Sequence, residues 1–138
     1  MMEVIGLAAA KSGKMMKDNG GAKIASIVAR LFADRTYTHM AHLKTSSFAA
    51  HKALNDFYDD VIRLVDGLAE TAQGKFGKLS IPVGQVSSDM SNAADVLEAS
   101  LEEILKDAEG CKVKALCNIV DEIEGLYLST IYKLRELH

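Results

Sequence analysis

Residues 39–70 read HMAHLKTSSFAAHKALNDFYDDVIRLVDGLAE, and two helical segments meet inside this stretch. Thr45-Ser46-Ser47 is a run of short hydroxyl side chains that compete for backbone hydrogen bonds, so it ends one helix. Beyond it, Leu54, Phe57, Tyr58, Val61, Val65 and Leu68 recur at three- and four-residue intervals. That period predicts a helix from about Phe48 to Gln73, with Gly74 as its stop. Before it, Ile24, Ile27, Val28, Leu31 and Phe32 predict a helix from about Ala22 to Lys44.

The same period continues toward the C-terminus. Met90, Ala93, Ala94, Leu97, Leu101, Ile104, Leu105 and Ala108 outline a third helix, capped by Ser87, Ser88 or Asp89 and closed by Gly110. Val113, Leu116, Cys117, Val120, Ile123, Tyr127, Ile131 and Leu134 outline a fourth, from about Lys112 to Leu137. The stretch from Lys75 to Val86 carries Gly77, Pro82 and Gly84 and is long enough to cross a bundle. The fold class is therefore all-α. Two helix pairs joined by one long connection between helices two and three match the ferritin-like four-helix bundle. A plain bundle would show the same stripes, so the choice rests on the polar residues that interrupt them.

Length and composition agree with a single bundle. The chain has 138 residues, 49% hydrophobic and 25% charged, enough for one core and too few for two. We expect a flexible N-terminal arm over 1–21 and the helical domain over 22–138. The net charge of -3 opposes a surface built to neutralise phosphates. Lys11, Lys14, Lys17 and Lys23 make the arm weakly basic, yet DNA contact is not the expectation. Met1 to Ala10 lacks the flanks of a signal peptide, and no apolar run is long enough to span a membrane. Cys111 and Cys117 lie six apart in what reads as one helix, which points them to different faces and argues against a disulfide. A reducing cytoplasm is the expected setting.

Three of the four histidines, His39, His42 and His51, fall around the first junction. At about 100° per residue, His39 shares a face with Val28 and His42 with Leu31, so both are expected on the buried side of helix one. His51 lines up with Ile62, and Asp66 and Glu70 follow one turn apart. Imidazoles with carboxylates suit iron and neighbouring divalent metals. Glu124 interrupts the stripe of helix four, where a carboxylate needs either a hydrogen-bonding partner across the bundle or a metal.

The 39–70 stretch resembles the signature region of the Dps family of mini-ferritins. The resemblance implies that His39 and His51 are imidazole ligands and Asp66 and Glu70 carboxylate ligands of a ferroxidase site for Fe2+/Fe3+. It further implies a site shared between two subunits across a two-fold axis, in a homo-oligomer of up to twelve subunits forming a hollow shell. The likeness is specific over about residues 37–74. Met40 stands where most members have Trp, no glycine follows Lys44, and Thr71 replaces a common Arg. Asn55 occupies the position of a frequent ligand Asp and brings no charge, while His42 lies one turn from His39 and is the residue that compensates. These departures make the chain similar to Dps-like proteins encoded by some bacteriophages. Iron oxidation and storage is the first expectation, a non-enzymatic scaffold the alternative, and a DNA-protecting shell the third.

Overall fold

The computed structural model describes residues 19–138. Four helices account for most of them: α1 (Asn19–Lys44), α2 (Phe48–Phe76), α3 (Ala93–Asp107) and α4 (Lys114–Glu136). No strand occurs among the described residues. Residues 1–18 of the expected arm, with Lys11, Lys14 and Lys17, lie outside them. No helix among the described residues is long and apolar enough to cross a membrane.

The helix ends have local causes. Ser47 caps α2, its Oγ accepting from the Ala50 N–H at 3.2 Å. α2 runs through Gly74 and stops at Gly77, whose φ of 86° only glycine adopts without strain. Phe76 explains the extension, because its ring packs over Gly20 at the start of α1. The same contact draws Asn19, Gly20 and Gly21 into α1, so the helix begins ahead of the expected Ala22. α3 starts later than the stripe from Met90 suggested. Asp89 accepts from the Ser91 N–H and Oγ and from Asn92 Nδ2, a local knot that competes with a helical turn.

The path of residues 77–92 sets the topology. Phe76 sits against Gly20, so α1 and α2 are antiparallel. The connection then follows α1. A Cβ added at Gly84 would lie 2.7 Å from the Ala29 carbonyl oxygen and 3.2 Å from the Ala33 Cβ. Further on, the Tyr37 hydroxyl donates to the Asp89 carbonyl at 2.6 Å. From Gly20 to Tyr37 the helix rises about 26 Å, a distance that extended backbone covers within this stretch. α3 descends beside α1, parallel to α2, and α4 returns antiparallel to α3, with Arg135 reaching Asp95 and Glu98 at 2.8 and 3.0 Å. α1 and α4 each pack against both α2 and α3. The core of this square is mainly apolar, with Ile27, Leu31, Phe57, Leu68, Leu97, Ile104 and Ile123 almost fully buried.

The cysteines correct the sequence reading. Cys111 lies in the turn ahead of α4, outside the helix, so its side chain is free of the helical phase, and it forms a disulfide with Cys117, Cα to Cα 5.9 Å.

Two outcomes follow. Gly84→Val should destabilise the fold by about 1–3 kcal/mol, because the intruding group meets backbone that cannot step aside. Gly67→Ala, in open space on α2, should be neutral or stabilising. Urea unfolding of the two variants measures this contrast. Replacing both cysteines by serine should cost about 2 kcal/mol of stability, and reductant should lower the melting temperature of the parent chain while leaving that variant unchanged.

Candidate functional site

The corner where α1 meets α2 holds three imidazoles and a phenol. His42 is buried, and its Nδ1 lies 3.0 Å from the His51 carbonyl oxygen. His51 returns the arrangement, its Nδ1 3.0 Å from the His42 carbonyl oxygen. A carbonyl can only accept, so each Nδ1 carries the proton and donates. The two rings stack at 3.8 Å. In the neutral rings this leaves the Nε2 lone pairs unused among the described residues. Metal-binding histidines usually have their other nitrogen held in this way, with the tautomer fixed by a carbonyl.

His39 departs from expectation: it is exposed, stacked on Tyr58 at 4.1 Å and edge-on to His42 at 5.9 Å. The buried stripe of α1 repeats every seven residues, through Ile24, Leu31 and Thr38 and through Ile27, Asp34 and Ala41. Extrapolating eleven residues from Val28 on a straight helix misses the drift of about 20° per heptad. His39 is instead in phase with Phe32, which is also exposed, at 42%. Tyr58 donates its hydroxyl hydrogen to Asn55 Oδ1 at 2.7 Å, and Asn55 Nδ2 donates to Asp59 at 3.2 Å.

The carboxylates lie elsewhere in the chain. Asp66 and Glu70 are exposed on α2, and fifteen residues of helix put Asp66 about 22 Å along the axis from His51. Among the described residues no three His, Cys, Asp or Glu side chains gather closely enough to hold one ion. One chain thus brings His39, His42 and His51 together and leaves Asp66 and Glu70 apart from them. Glu124 is half-buried and forms no hydrogen bond or ion pair among the described residues. The hydroxyl of nearby Tyr127 is committed to another helix.

That commitment is to Asp34, a residue the stripes did not single out. Asp34 is 4% exposed at mid-bundle, accepting from Ser100 Oγ at 3.0 Å and from the Tyr127 hydroxyl at 2.5 Å. Burial pushes its carboxyl up to about 6, against the opposing pull of those two hydroxyls and of Arg30. Burial, and then the Asp34 charge, hold the Tyr127 phenol well above its ordinary range. The signal was present in the seven-residue phase, which places an aspartate between Ile27 and Ala41.

The chain belongs to a family of unknown function, DUF5856, whose model matches residues 42–134. That span includes His42, His51, Asn55, Tyr58, Asp66, Glu70 and Tyr127, and begins after Asp34 and His39. The chain is also similar to an uncharacterized 14.6 kDa protein from the mobD-ri intergenic region of Enterobacteria phage T4. The two are 28% identical over 108 residues, covering 75% of this chain and 81% of that protein. No solved structure matches the chain.

Asp34 has a pH signature of determinate sign. Its folded pKa of about 6 lies above the ordinary carboxyl value of 3.8, so the folded state binds the proton more tightly. The resulting stabilisation is full below 3.8 and is lost as the pH rises through 6. Stability should therefore gain up to about 3 kcal/mol from this group on acidification through that window. Asp34→Asn, which can still bond both hydroxyls, should remove that gain. Urea unfolding at pH 7 and pH 4.5 measures it, with the difference between parent and variant as the readout.

Proposed function

We propose that the chain is a ferritin-like, Dps-type subunit that takes up Fe(II) as substrate at a site shared between two copies. The observation that carries this reading is the held tautomer of His51. Its Nδ1 donates to the His42 carbonyl, so an exposed residue keeps an Nε2 lone pair that makes no bond among the described residues. The topology adds support, since parallel α2 and α3 joined by one long crossover are the ferritin-like arrangement. The distance from His51 to Asp66 fits this reading, since a second copy could bring Asp66 and Glu70 to these imidazoles. In that arrangement His39 and His51 supply neutral nitrogens, and Asp66 and Glu70 of the second copy supply the negative charge that favours the ferric product. The electron passes to oxygen or hydrogen peroxide, and the product is stored within an assembly of such dimers.

Asn55 favours a second reading, a non-enzymatic scaffold of the same fold. It is bonded to Tyr58 and Asp59 and adds no charge to a metal site, while His39 is covered on one face by Tyr58.

A mixing experiment separates the two readings. A His39→Ala, His51→Ala chain keeps only the carboxylates, and an Asp66→Ala, Glu70→Ala chain keeps only the histidines. Each alone should bind no Fe(II), whereas a purified heterodimer should recover about half the parental site count by calorimetry, one intact site of two. Absence of recovery after demonstrated subunit exchange would favour the scaffold.

A further inference from the structure

Among the described residues, the end of the bundle opposite the histidine corner is open. A cavity of about 410 Å³ lies between the start of α1, the end of α2 and the α3–α4 turn. Its floor is the core itself: Ile24, Leu116 and Val120 line it, with Phe76 and the Cys111 half of the disulfide as walls. A volume in this range with apolar walls is the usual form of a small-molecule site. The polar groups at the cavity come from several directions. Lys23 belongs to α1, Lys75 to the last turn of α2 and Lys112 to the turn before α4. All three are exposed, and none forms an ion pair or a side-chain hydrogen bond among the described residues. Asp107 and Glu109 line the same cavity and leave a small positive excess. α4 begins beside it at Val113 with no side chain capping its first amides, a second feature that favours an anion.

We infer that this cavity binds a free medium-chain carboxylate, with the chain on the Ile24, Leu116 and Val120 floor and the head among Lys23, Lys75 and Lys112. The single-charge head follows from the balance of three lysines against two acids. The apolar floor selects against a hydrophilic anion such as inorganic phosphate, which would leave it unfilled. None of these residues belongs to the proposed iron site, so the two readings stand or fall separately.

Titration calorimetry of the full chain with decanoate tests the inference, with decanol as the uncharged control. Decanoate should bind saturably, one per chain, and more tightly than decanol. Lys75→Glu with Lys112→Glu alters only exposed side chains, which circular dichroism and the melting temperature verify. This variant should weaken decanoate about three- to tenfold and leave decanol unchanged. A spin-labelled carboxylate should broaden the amide resonances of residues 20–24 and 107–116. Absence of saturable decanoate binding, equal binding of decanol with no effect of the lysine changes, or broadening confined to another surface would each overturn the proposal.

Discussion

A carboxylate inside an apolar bundle constrains everything around it. Asp34 has almost no contact with solvent, and an unpaired charge there would cost several kcal/mol, so both of its oxygens must find donors. Ser100 and Tyr127 provide them from α3 and α4. The apolar stripes of these helices would tolerate a slide of one turn, about 5.4 Å, with modest loss, but the hydrogen bonds would not survive it. α2 is drawn into the same register by Phe57, which meets the Tyr127 ring edge-on at 4.9 Å. One polar junction therefore aligns four helices.

The connection between α2 and α3 is the other organising element. It lies close enough to α1, against the Ala29 carbonyl, that Ala33 and Gly84 must both be small. It ends where Tyr37 holds the Asp89 carbonyl, and burial with the neighbouring Asp89 and Asp34 charges pushes that phenol up to about 12. Because the connection spans the length of α1, α3 starts at the end where α1 meets α2. That places Ser100 level with Asp34 and leaves the bundle's other end for the disulfide-closed turn and its cavity.

Much of this fold was legible in the sequence. The four stripes and the long connection follow from period and turn chemistry. The helix starts and stops were harder, because tertiary contacts decide them: Phe76 on Gly20 carries α2 past Gly74, and the Asp89 knot delays α3. The site was legible in part. The clustering of His39, His42 and His51 is a matter of chain proximity, and the eleven-residue extrapolation puts His42 on the buried side as found, but the exposure of His39 depends on a seven-residue phase that it misses. Asp34 was readable only by asking which polar residue falls in that phase. The disulfide was not readable, because it turns on whether Cys111 lies inside α4 or just ahead of it.

The clasp between His42 and His51 has a mechanical consequence. Each ring is tethered to the other residue's backbone through a nitrogen that carries hydrogen whether the ring is neutral or charged. Loading or emptying the opposite nitrogen therefore leaves both tethers in place. The joint between α1 and α2 is thus insulated from a change of state at those opposite nitrogens, which is not relayed to the rest of the bundle through these bonds.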